Sequence, residues 1–214
     1  PIFSPYIEWA LGPTEGNLKI SGTLAAPRIN GSLQLTGGAL KLKPIETPIT
    51  DMQMQIDALG DAIIVRSCAG KMGAGGYLLT RPGCPGAGRG AEAGCMGLDG
   101  VHPTGYDFTL VMNELGIKCS FFDGSINGSL QLTEGVYWGE KLPKIAGTVD
   151  IETALVSVPT IPDTEEELPP IIMDVGLTVG RHVHFYSPSL YDIHPSGGIH
   201  FGGTTRNPKT TGQI

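Results

Sequence analysis

The segment Ile29-Asn30-Gly31-Ser32-Leu33-Gln34-Leu35-Thr36 occurs twice in this chain, letter for letter, the second time at residues 126–133. In each copy the aliphatic side chains fall at alternate positions, Ile29, Leu33 and Leu35 and then Ile126, Leu130 and Leu132, with Ser, Gln and Thr between them. A period of two belongs to a strand with one apolar and one wetted face. The likeness continues more loosely from residues 49–59 to residues 145–155, with one gap. A second echo aligns GTLAAPRINGSL (22–33) with GTTRNPKTTGQI (203–214), and upstream of it Leu18 and Ile20 match Ile199 and Phe201. In both copies Pro removes a ladder donor and fixes φ, while Gly lets the chain bend into the next strand. Repeat architectures continue until a capping unit, so the chain is expected to be a section of a longer array.

Composition supports strands over helices. The 214 residues include 32 Gly and 17 Pro, and only 16% are charged, against roughly 25% in ordinary soluble domains. The length suffices to bury a core. A net charge of −7 argues against nucleic acid, whose phosphates demand a basic face. No apolar run approaches the roughly 18 residues that a membrane-crossing helix needs, and no signal peptide is visible. Any anchor is therefore expected outside these residues.

Alternation predicts about a dozen strands and no helix. Residues 1–13, with three prolines, suit an edge strand or a connection. Strands follow at 16–24, 30–36, 39–42, 52–59, 62–67 and 71–80, with a tight reversal at Leu59-Gly60-Asp61. Residues 81–105 are dense in Gly and Pro and predict a flexible loop unable to hold a ladder. Alternation resumes at 106–111, 116–121, 126–138 and 148–158. The Pro- and acid-rich stretch 159–170 predicts a solvated linker. Strands at 172–179 and 182–186, parted by a turn at Gly180-Arg181, lead into the terminal repeat. The expected organisation is thus a first sheet segment, 1–158, containing the 81–105 loop, then the linker at 159–170, then a continuation at 171–214.

Candidate chemistry is sparse. His182 and His184, two apart on one strand face, with His194 and His200 nearby, offer metal-ligand atoms, but no Asp, Glu or Cys stands at ligand spacing from them, so they are expected to be surface histidines and no metal is assigned. The glycine runs at 70–76 and 86–90 fit neither phosphate-loop pattern and precede no helix. No nucleophile elbow and no H-E-x-x-H is present. No cofactor is implied, and the chain is expected not to be an enzyme. Asn30-Gly31-Ser32 and Asn127-Gly128-Ser129 match the glycosylation sequon, yet Asn-Gly is read as turn chemistry. The four cysteines, Cys68, Cys84, Cys95 and Cys119, lack zinc spacing; they are small buried or loop residues, or include a disulfide in the Gly-rich loop if the compartment is oxidising.

What remains is the apolar face itself. Strand after strand presents aliphatic residues on one side, and no amphipathic helix exists to cover them. The sheet must fold on a second sheet, close into a barrel, or curl into a trough filled by a guest. Leaving such a face bare costs about 25 cal/mol per Å2.

Three stretches, GTLAAPRINGSLQLTGGALKLKPIETPITDMQMQID (22–57), GKMGAGG (70–76) and LPP followed by MDVGLTVGRHVHF and GGIHFGGTTRNPKTTGQI (168–214), resemble the carboxy-terminal region of the TamB family. This translocation and assembly module family of diderm bacteria lies within the AsmA-like, or repeating β-groove, superfamily. The resemblance implies an all-β fold, a long curled antiparallel or mixed sheet forming a taco-shaped hydrophobic groove. It also implies a periplasmic bridge that conducts phospholipid between the membranes or aids outer-membrane protein assembly. Its partners would be phospholipid, a TamA-type outer-membrane barrel reached through a missing carboxy-terminal end, and the inner membrane, reached through a missing amino-terminal helix. The groove lining would be Leu18, Ile20, Leu33, Leu35, Met52, Met54, Ile56, Leu130, Leu132, Val149, Ile151, Val175, Leu177, Ile199 and Phe201. The alternative is a structural β-solenoid or sandwich of a cell-surface protein, with the same residues packed on one another.

Overall fold

A computed structural model describes residues 7–23, 26–80, 94–99, 102–157, 170–187 and 191–213. Among them the regular elements are all strands: β1 (Ile7–Leu11), β2 (Thr14–Thr23), β3 (Ala26–Leu42), β4 (Ile49–Gly60), β5 (Ala62–Met72), β6 (Gly75–Thr80), β7 (Gly94–Asp99), β8 (His102–Cys119), β9 (Phe122–Tyr137), β10 (Glu140–Val156), β11 (Ile172–Ser187), β12 (Tyr191–Ile193), β13 (Gly197–Thr204) and β14 (Asn207–Gln213). They form one 14-stranded sheet that runs β1-β3-β4-β5-β6-β8-β9-β10-β11-β13-β14, with β2 on β3, β7 on β5 and β8, and β12 on β11. The sheet is curled. Every ladder is antiparallel except β10–β11, which is parallel. The expected all-β mixed sheet is therefore the observed one, and β11 joins β10 through that parallel ladder. Of the expected linker at 159–170, only Pro170 is among the described residues.

The sequence repeats are repeats of conformation. In the hairpin β2–β3 the Ala26 N–H donates to Thr23 Oγ1 at 3.2 Å, and in β13–β14 the Asn207 N–H donates to Thr204 Oγ1 at the same 3.2 Å. The shared G-T-x3-P pattern thus builds the same reversal twice, with Gly22 opposite Pro27 and Gly203 opposite Pro208. The eight-residue copies also match: Gly31 has φ +134° and Gly128 φ +138°. Both are mid-strand, so reading Asn-Gly as turn chemistry is corrected. Instead, Asn30 Oδ1 accepts from the Gly60 N–H at 3.1 Å and Asn127 Oδ1 from the Glu114 N–H at 2.7 Å. Each amide tethers an irregular point of the adjacent strand, since Gly60 and Glu114 have φ +71° and +49°. The glycine beside it sits where a Cβ would fall 1.8 Å from Asn17 O (Gly31) or 2.2 Å from Thr148 O (Gly128). Glycine kinks of this kind are how sheets are made to bend.

Further expectations change. The strand placed at 71–80 is the end of β5 and the whole of β6, parted by a turn at Gly73-Ala74. The turn placed at Gly180-Arg181 is an irregularity inside a continuous β11, where the register against β10 shifts between Ile151 and Thr153. The loop placed at 81–105 holds ladder at 94–99 and from His102 onward. Thr80 pairs with Thr109 and Gly94 with Phe108, consecutive residues of β8. β6 and β7 therefore share one slot between β5 and β8, in continuous register along β8. Gly94 is buried where a Cβ would meet the Phe108 ring at 2.1 Å, so glycine serves packing at this point of the ladder. Residues 81–93 lie outside the described residues.

Candidate functional site

Cross-strand register shows which side chains share a face, because partners directly opposite point the same way. From β2 inward the partners are Ile20 and Ile29, Leu18 and Gly31, then Leu33 and Ile56, Leu35 and Met54, and, past a bulge, Gly38 and Met52. Met54 opposes Cys68, and Ile56 opposes Val65. Tyr77 and Leu79 carry the row to Met112 and Leu110. Beyond β8 the rows run Leu110–Leu130–Gly147–Val175–Phe201 and Met112–Gly128–Val149–Leu177–Ile199, flanked by Leu132 opposite Ile145 and Ile126 opposite Ile151. All the residues expected to line a groove thus lie on one continuous face.

Burial along that face is graded. On β2, Leu18 is 42% and Ile20 71% exposed, and Leu132 is 37% exposed. The remaining expected residues are half-buried, and none is fully buried. The fully buried inward side chains are others: Ala58, Val65 with Cys68, Met72 with Met112 and Leu115, and Ala154 with Val179 and Val183. Sequence reasoning missed this group because burial follows from curl and bulges, which alternation does not encode. Burial pushes the Cys68 thiol up, and burial, with Cys68 beside it, pushes the Tyr77 hydroxyl to about 12, so both are neutral in this apolar setting at physiological pH.

One end of the face carries a strap. The β3–β4 connection crosses to β8, where the Glu46 N–H donates to the Lys118 carbonyl at 2.6 Å. Ile45 packs there against the cluster of Met72, Met112 and Leu115. Between strap and sheet lies an apolar cavity of about 320 Å3 lined by Pro44, Ile45, Ile117, Cys119, Phe121, Phe122 and Ile126. The only sequence signal for the strap was an isolated aliphatic, Ile45, between prolines 44 and 48.

Charge is kept to the opposite face and the rims. Arg66 Nε reaches Asp57 at 2.7 Å, Gln131 Nε2 donates to Asp107 at 3.1 Å, and Lys144 pairs with Asp174 at 3.1 Å. At the β9–β10 turn, Lys141 lies 2.7 Å from Glu134, and the Gly105 N–H donates to the same carboxylate at 3.3 Å. The Lys141 hydrogen bond, then the backbone one, hold the Glu134 carboxyl below its usual range. The cysteines divide: Cys68 and Cys119 are free thiols, whereas Cys95 is disulfide-bonded.

The histidines separate as well. His200 Nε2 lies 3.4 Å from Asp174, apart from the others. His184 and His194, however, gather around one carboxylate, correcting the expectation that no acidic residue stands at ligand spacing from them. Asp192 touches His184 Nε2 and lies 4.0 Å from His194 Nε2.

No protein-family model matches this chain, and no solved structure matches it. It is similar to Protein TIC236, chloroplastic, of Arabidopsis thaliana, with 23% identity over 138 residues. The match takes in 62% of this chain and 6% of that protein, so the chain spans a small fraction of its relative's length.

Proposed function

We propose that this chain is a wall section of a TamB-type periplasmic trough, which holds or conducts phospholipid acyl chains between inner and outer membrane and carries out no catalysis. The observation that carries the reading is the unbroken apolar face running through one open sheet, with no second layer among the described residues. The distant likeness to a far longer chloroplast protein suits a segment of a long chain. Acyl chains solvate such a face well, at about 0.8 kcal/mol per buried methylene, so ten methylenes laid along it gain about 8 kcal/mol. Arrival and departure of lipid would involve the inner membrane and a TamA-type outer-membrane barrel, both through segments beyond this one. The solenoid or sandwich alternative has less support, because the ladders join all the described strands in one sheet with a single parallel pair.

A photoreactive residue in place of Leu132, compared in cells with one at the neighbouring outward Gln131, tests the reading. A phospholipid adduct at 132 and none at 131 is expected. Leu132→Asp, at a 37% exposed position, should abolish adducts from a probe at Leu177 and leave the strand signature in circular dichroism unchanged. Equal adducts on both faces, none on either, or unfolding by Leu132→Asp would mark the face as ordinary core.

A further inference from the structure

His184, Asp192 and His194 converge on the polar face at one end of the sheet, and we infer that they form a binding site for a divalent transition-metal ion of the zinc type. Register explains why they meet. On β11, Val183 and Phe185 point inward, opposite Ala154 and Val156, so His184 and Tyr186 point outward. The β11–β12 hairpin sets Asp192 opposite Tyr186 and Ile193 opposite Phe185, which carries His194 alongside His184.

The imidazole rings stack, with centroids 4.5 Å apart and planes 7° apart, and Tyr186 packs on His184 at 5.6 Å. This stacking aims both Nε2 atoms at the same carboxylate. One ligand atom from each of the three residues lies within 4.8 Å of the other two. Tetrahedral zinc with bonds of about 2.0–2.1 Å needs its ligand atoms about 3.3 Å apart, so small side-chain rotations suffice. Two imidazoles and one carboxylate suit zinc and its first-row neighbours, whereas calcium and magnesium require mostly oxygen. Asp192 and His194 side chains are 63% and 61% exposed, which gives the ion access and leaves a coordination position for water. A bound ion would fasten β12, a three-residue strand paired among the described residues with β11 alone, to the rest of the sheet. Such a site stands on the opposite face from the aliphatic row and works whatever fills that row.

Titration of the whole chain with zinc chloride by calorimetry, and with cobalt(II) by visible absorption, tests it. One equivalent is expected, with tetrahedral-type cobalt bands. His194→Ala and Asp192→Asn should each weaken binding at least about tenfold, as loss of a ligand exceeds the 10–100-fold effects of outer-shell groups only in degree. His182→Ala, His200→Ala and Cys119→Ser should leave it unchanged. Both ligand substitutions fall on exposed positions, and circular dichroism confirms that the variants fold. Absence of saturable binding, or binding indifferent to His194→Ala and Asp192→Asn, would reduce the trio to an ordinary histidine–carboxylate contact and overturn the assignment.

Discussion

Gly128→Ala is the substitution that tests how this sheet bends. Gly128 holds φ +138°, and a Cβ there would lie 2.2 Å from Thr148 O and 3.0 Å from Val149 Cα, both backbone atoms of the adjacent strand. An L-residue in that conformation costs about 1–3 kcal/mol. The carbonyl cannot retreat like a side chain, so relief requires β9 and β10 to part and give up one or two ladder hydrogen bonds at about 1 kcal/mol each. The expected loss is about 2–5 kcal/mol. Gly176→Ala is the internal control: its φ is ordinary and its nearest neighbour, Thr148 Cγ2, is 3.7 Å away. There the smaller entropy of the unfolded chain should stabilise by about 0.4–1 kcal/mol. Equilibrium urea unfolding followed by circular dichroism measures both. A loss below about 1 kcal/mol for Gly128→Ala, or a comparable loss for both variants, would show that the strand bends without the glycine.

Two other outcomes are expected. Asn127→Ala removes the acceptor for the Glu114 N–H, bonded at 2.7 Å, and should cost about 1–2 kcal/mol, whereas Asn127→Asp, which still accepts, should cost clearly less in the same unfolding assay. Because the folded Glu134 carboxyl is held below its ordinary 4.5, its contribution is fully present above that value and fades as pH falls through the lowered one. The stability difference between wild type and Glu134→Gln should therefore be flat from neutral pH down to about 5 and shrink in acid; a difference that widens in acid contradicts the assignment.

Alternation in the sequence was enough to set the strands and to put the aliphatics on one side, because a period of two is a local property. Leu33, Leu35, Leu130 and Leu132 needed no neighbour to declare their face. The identical octapeptides also foretold identical geometry, down to twin glycines with matching φ. The Asn in front of each glycine misled, since Asn-Gly favours turns locally and its tether to Gly60 or Glu114 exists only once another strand is alongside. The same limit hid the trio around Asp192, which cross-strand pairing assembles, and the strap at Ile45, which crosses several strands to reach Lys118. Pairing across β5 and β8 likewise overrode the Gly and Pro content of 94–99 and 102–105, where Gly94 fits beneath an aromatic ring as no larger residue would.

The join between Thr80 and Gly94 carries a lesson for the chain's tolerance of insertions. Because their partners on β8 are adjacent residues, the length of what lies between them is decoupled from the bookkeeping of in and out along the wall. Adding one residue within β9 would invert every side chain beyond it; adding one, or a whole tag, between Thr80 and Gly94 inverts none. Evolution and the protein engineer have there the same port, one at which new material can be attached while the lining stays as it was.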